Sequence, residues 1–196
     1  VEKGFFDESW LMTLNRLGTK LPSHCDMNLT PGIDMTTGSL GQGFSCAVGV
    51  ALGSKLRGDN ATIYSIIGDG ESQEGQIWEA AMFAGKEKLN NFIAFTDYNK
   101  MQIDGNVDEV CDIAPLDKKW EAFNFNTIVV KDGHDMAEIS QAIDAAKQCK
   151  DKPSMIILNT IKGKGVSFIE QMKSANHNTK ISAEQLAVAL AEIKGE

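Results

Sequence analysis

Apolar and polar positions alternate along the chain in two rhythms. Residues 61–67, 92–95, 127–130 and 155–158 are short apolar runs with no polar face. Such runs fit buried parallel strands, which are covered on both sides. Between them the spacing changes to about three and a half. Residues 74–89 carry Ile77, Trp78, Ala81, Met82, Gly85 and Leu89 on one stripe, and residues 116–123, 136–147 and 183–193 also read as helices. Near the start, Asp7 is placed to begin a helix through Trp10, Leu11, Leu14 and Leu17 that stops at Gly18. A loop over 20–35 follows. Ser39 and Gln42 have the spacing of a capping box, opening a helix to about Arg57. That helix holds Gly41, Gly43, Gly49 and Gly53, a density that predicts close approach of another helix or a ligand.

Strands that alternate with helices predict an α/β fold, a doubly wound, mostly parallel sheet with helices on both faces. The chain has 196 residues, with no repeat, low-complexity stretch or linker, so it reads as one domain over 1–196. Hydrophobic residues make up 42% and charged residues 23%, as in a soluble globular protein. The net charge of -8, with no basic patch, argues against nucleic acid as a partner. No apolar stretch approaches the roughly 18–20 residues of a membrane span, so no membrane role is expected. Cys25, Cys46, Cys111 and Cys149 are far apart and form no CxxC pair. They read as buried, reduced thiols of a cytoplasmic protein.

The loops after the strands gather on one edge of such a sheet. There the sequence puts Gly68-Asp69-Gly70 after one strand and Asn99, thirty positions on, after the next. A carboxylate and an amide oxygen at adjacent parallel strand ends suit a hard cation that holds a phosphate. The carbonyl of Met101 offers a third oxygen. By local pattern alone, a plain turn with a solvated Asp69 fits equally well, and His24 and His134 read as surface or capping histidines.

The string IGDGESQEGQIWEAAMFAGKEKLNNFIAFTDYNKMQIDG resembles the thiamin-diphosphate signature, and more narrowly that of transketolase. Thr36–Gly43 (TTGSLGQG), Asp132–Asp135 (DGHD) and Asn159–Gly165 (NTIKGKG) are similar to further transketolase segments, in family order. The resemblance implies thiamin diphosphate and Mg2+ as cofactors, with Ca2+ or Mn2+ as substitutes. Asp69, Asn99 and Met101 would bind the metal. Gly38, Ser39, Leu40, Asp69, Gly70, Asn99, Lys162 and His177 would contact the cofactor. His24, His177 and Glu74 would serve catalysis, Glu74 at an interface between paired sites. Around His24 the sequence is Ser23-His24-Cys25 and around His177 it is Asn176-His177-Asn178, so both depart from the family pattern.

The pyrimidine-binding and C-terminal domains of a full-length transketolase have no counterpart here. The resemblance therefore implies the N-terminal subunit of a split enzyme. Together with a second copy of itself and a C-terminal partner subunit, it would transfer a two-carbon ketol unit from a ketose phosphate to an aldose phosphate. The opening on Val1, without an upstream Ser-Lys-Gly-His segment, reads as an incomplete N-terminus. Rival readings are another thiamin enzyme of the deoxyxylulose-phosphate synthase type, a transketolase for an unusual sugar, and a non-catalytic paralogue that keeps the fold.

Overall fold

The computed structural model describes residues 1–195. In chain order its elements are α1 (Gln42–Arg57), β1 (Ile63–Gly68), α2 (Gly75–Lys86), β2 (Phe92–Tyr98), β3 (Met101–Gln102), β4 (Gly105–Asn106), α3 (Val107–Cys111), α4 (Leu116–Ala122), β5 (Asn126–Val130), α5 (Met136–Gln148), β6 (Ser154–Asn159), α6 (Ser167–Met172) and α7 (Ala183–Lys194). Four strands form one parallel sheet in the order β1-β2-β6-β5, and β3 and β4 make a small hairpin. The doubly wound α/β expectation holds.

Side-chain alternation along the strands builds two cores. On one face Phe92, Ala94, Met155 and Ile157 pack beneath α1, α2 and α4. Trp120 of α4 sits at the centre, with ring centroids 5.9 Å from Phe44, 4.8 Å from Trp78 and 5.1 Å from Phe125. On the other face Ile93, Phe95, Val130 and Ile156 meet Ala142 and Ala146 of α5. Helices on both faces are what right-handed crossovers require when the strand order reverses direction.

The cover on the second face is incomplete. Ile66, Phe95, Ile156 and Ile128 lie in one register row. Helix α5 packs on β5, β6 and β2. At the end of the row Ile66 is 73% exposed, and Tyr64 beside it is also open. The apolar run 61–67 predicts a strand buried on both faces. In the described residues it is an edge strand with one bare face.

Three further expectations fail. Only Glu8–Thr13 forms a helical turn near the start, of 3-10 type, although Asp7 caps it as expected by accepting from Ser9 N–H at 2.9 Å. Leu11, Leu14 and Leu17 are exposed, so nothing compensates for extending that turn to Gly18. Helix α1 starts at Gln42, not after Ser39. Gly41 is left-handed there and no side chain of its own turn caps it; its N–H donates instead to Glu71. Gly43 lies close against Thr37, whereas Gly49 and Gly53 have no outside neighbour near. Finally, the cysteines are free but not buried. Cys25, Cys46 and Cys111 are exposed and Cys149 is half-buried, because Cys46 falls on the outer face of α1.

Candidate functional site

The ends of β1 and β2 bring the GDG turn and Asn99 together. Gly68 pairs with Asp97 across the sheet, which puts Asp69 beside the 98–100 segment. Asp69 is buried, at 1% exposure. Its Oδ1 accepts from Gly70 N–H at 2.7 Å, and its Oδ2 accepts from Lys100 N–H. Asn99 Oδ1 accepts from Met101 N–H at 3.0 Å, while Asn99 Nδ2 donates to Asp97 Oδ2 at 3.2 Å. Asp97 Oδ1 accepts from the Thr160 hydroxyl, tying the loop after β6 to this corner.

Two carboxylates and an amide thus crowd one strand edge. Burial pushes the Asp69 carboxyl up to about 6. The N–H groups of Lys100 and Gly70 pull it down, and the charge of Asp97 adds to the rise. A buried carboxylate in this state lacks a counter-charge. No arrangement of three His, Cys, Asp or Glu side chains suits a metal among the described residues. A cation here would therefore draw on Asp69, the second lone pair of Asn99 Oδ1, a backbone carbonyl and its ligand's own oxygens. Such a mixed oxygen set fits a hard ion shared with a phosphate.

A second cluster lies on the turn before α1. The His24 ring packs on Gly38, where an added Cβ would stand 2.7 Å from His24 Cδ2. The Gly38–Leu40 turn and Glu71 line a groove of about 790 Å³ that opens along the bare flank of β1.

Residues 6–193 match the family model described as transketolase, thiamine diphosphate binding domain. The chain belongs to the transketolase family. It is 59% identical over 194 residues to the 6-deoxy-6-sulfo-D-fructose transketolase subunit SqwG of Clostridium sp. (strain MSTE9), covering 99% of this chain and 70% of that protein. It is 39% identical over 195 residues to an apulose-4-phosphate transketolase subunit of Actinobacillus succinogenes, covering 100% of this chain and 70% of that protein. The transketolase of Pichia stipitis, solved with a sedoheptulose phosphate, superposes with a TM-score of 0.86 at 30% identity. That alignment covers 95% of this chain but 29% of the other, so the chain spans less than a third of a full-length transketolase.

The remaining residues that the transketolase resemblance singled out fall at three places. Lys162 is half-buried in the loop after β6. His177 is exposed on a 3-10 turn, Lys173–Asn178, that packs against β3 and so approaches the Met101 strand. Asn176 of the same turn braces the Lys162 loop by donating to Ile169 O at 3.0 Å beside Gly163. Glu74 is exposed at the start of α2 and caps no N–H group. His24 lies with Gly38, and Ser39 and Leu40 are exposed beside it.

Sequence reasoning missed four contributors. Asp97 and Thr160 build the corner around Asn99. His134 Nε2 accepts from Ile161 N–H at 2.8 Å, next to Lys162. Glu71 reaches back to Gly41. The bonds that tie His134 to Ile161, Glu71 to Gly41 and Thr160 to Asp97 span from 27 to 63 positions, so no local pattern announces them. Only the closeness of Asp97 to Asn99, two positions on, offers a local sign.

Proposed function

We infer that this chain is the cofactor-binding N-terminal subunit of a two-subunit transketolase. The observation that carries the reading is the buried Asp69 carboxylate beside Asn99, short of positive charge at the mouth of two parallel strands. Asp69, Asn99 and the Met101 carbonyl would hold Mg2+. Gly70 and Lys162 would contact the diphosphate, Gly38, Ser39 and Leu40 would line the ring, and His177 would reach the diphosphate from the β3 side. When bound, thiamin diphosphate supplies a stabilised carbon nucleophile that cleaves the bond beside a ketose carbonyl.

This chain's own residues have narrower tasks. Asp69 and Asn99 fix the charged end of the cofactor, and Lys162 offsets its negative charge. His24 and His177 would orient sugar hydroxyls and move protons, since a ring nitrogen of imidazole can donate or accept a hydrogen bond. Glu74, free and exposed, is available to a second copy of the chain. The C-terminal partner subunit would bring the pyrimidine-binding domain, making a heterotetramer.

The donor is best read as an uncommon ketose with an anionic terminus. Support comes from the relatives: the one at 59% identity is named for a sulfonated deoxyfructose and the one at 39% for apulose 4-phosphate. The test is to mix this chain with its C-terminal partner and assay ketol transfer with sulfonated and phosphorylated ketoses. Activity is expected only in the mixture and strongest with one of the uncommon donors. Full activity from this chain alone would overturn the split-enzyme reading; no transfer from any ketose would favour the non-catalytic paralogue.

A further inference from the structure

One peptide unit near the site is gripped from both sides. The bond between Leu40 and Gly41 has its N–H donating to Glu71 Oε1 at 2.7 Å. Its carbonyl accepts from Gln76 Nε2 at 2.9 Å. Glu71 lies in the turn after Asp69, and Gln76 lies in the first turn of α2. The second Glu71 oxygen accepts from Gly68 N–H at 3.1 Å. A single carboxylate thus bridges the last residue of β1 and the residue before α1.

The surroundings sharpen this grip. Gly41 has φ +82 and its Cα faces Gln76, where an added Cβ would stand 2.7 Å from Gln76 Cγ. No other residue type sits easily at that backbone geometry. A negative carboxylate at the N-terminus of the 16-residue α1 also suits the helix dipole. Bonds from a carboxylate to backbone N–H groups are the stronger kind. With both polar atoms of the peptide held, its plane cannot turn without breaking a bond.

We propose that Glu71 and Gln76 are positioning residues. They clamp the Leu40–Gly41 peptide and thereby fix the distance between the Gly38–Leu40 turn and the Asp69 corner. This rests on the transketolase reading, in which the turn meets the ring end of thiamin diphosphate and Asp69 meets the diphosphate end. A flexible ligand held at both ends in one bound conformation needs the two protein segments at a set spacing, since a drift between them costs binding energy. The segments are some thirty residues apart in sequence, and the clamp couples them directly.

The test uses the assembled two-subunit complex and two probes, each with Mg2+. Thiamin diphosphate touches both ends, whereas inorganic pyrophosphate touches only the metal end. In Glu71→Ala the Kd for thiamin diphosphate should rise about 10- to 100-fold, as when an outer support of a ligand is removed. The Kd for pyrophosphate should stay within about threefold. Glu71→Gln keeps one acceptor and should lose roughly threefold to tenfold. In the cofactor-free complex, Gly41 amide exchange should quicken at least about tenfold in both Glu71→Ala and Gln76→Ala. Gln76→Ala removes no charge and carries the same test should Glu71→Ala fail to assemble.

Equal loss for both probes, or none for either, would overturn the clamp. If the wild-type complex binds pyrophosphate but not thiamin diphosphate, the transketolase reading falls, and the clamp proposal with it. Wild-type binding together with unaffected variants overturns the clamp alone.

Discussion

Trp120 and Asp69 are almost equally hidden from water, at 0% and 1% exposure. Trp120 is wrapped by Phe44, Trp78 and Phe125, and its burial drives folding even though its indole N–H has no partner among the described residues. Asp69 is wrapped by backbone N–H groups and stands near Asp97, and its burial opposes its own ionisation. The core under α1, α2 and α4 is complete in itself, whereas the corner at the ends of β1 and β2 holds a buried carboxylate with no counter-charge among the described residues. One sheet therefore carries a region chosen for stability and a region that gives stability away.

The comparison breaks first at the aromatic centre. Trp120→Ala should destabilise the fold by about 3–5 kcal/mol, read from chemical unfolding. A loss under about 1 kcal/mol would mean that the three-helix face is not the main core.

Next, Asp69→Asn should act in the opposite sense. With metal absent at pH 7 it should raise the melting temperature by about 2 °C, relief of the buried charge outweighing the one N–H bond that the amide nitrogen cannot accept, while metal-dependent cofactor retention falls by up to about 100-fold. The pH dependence follows from the carboxyl standing at about 6 when folded, against an ordinary 3.8. Between those values the folded state holds more protons than the unfolded state. Stability from this group is full below the ordinary value and is lost as pH rises through about 6. The Asn variant should flatten that slope. A slope unchanged by the substitution would reassign the buried charge to another group.

The smallest effect should come from the open flank. Ile66 shares its register row with buried Phe95 and Ile156 but, among the described residues, has no helix over it. Ile66→Ser should change stability by no more than about 0.5 kcal/mol. A cost of about 2 kcal/mol or more would reveal a cover over β1.

Where burial followed local pattern, the sequence was a good guide. The runs at 92–95 and 155–158 became the two central strands, and the helix expected over 183–193 is α7. Asp69 and Asn99 come together because adjacent strand ends in a parallel sheet share an edge, which the spacing of the two apolar runs already implied. Local pattern failed where a distant group decided the outcome. Ser39 was a plausible cap for α1, but Glu71, thirty positions beyond Gly41, supplies the acceptor. Leu11, Leu14 and Leu17 had helical spacing but found no surface to bury against. Cys46 looked internal among small residues, yet α1 turns that side outward.

The bare side of β1 has a consequence for the protein as a material. Ile63-Tyr64-Ser65-Ile66-Ile67 is an uncharged, mostly β-branched pentapeptide at an unpaired edge among the described residues. Segments of this kind are templates for strand-to-strand association and aggregation. What opposes it is long-range repulsion between copies that each carry a net charge of -8. Salt screens that repulsion over about 8–10 Å at physiological strength, and over less above it. High ionic strength therefore favours self-association of this chain, and a charged residue in place of Ile66 gives it a gatekeeper.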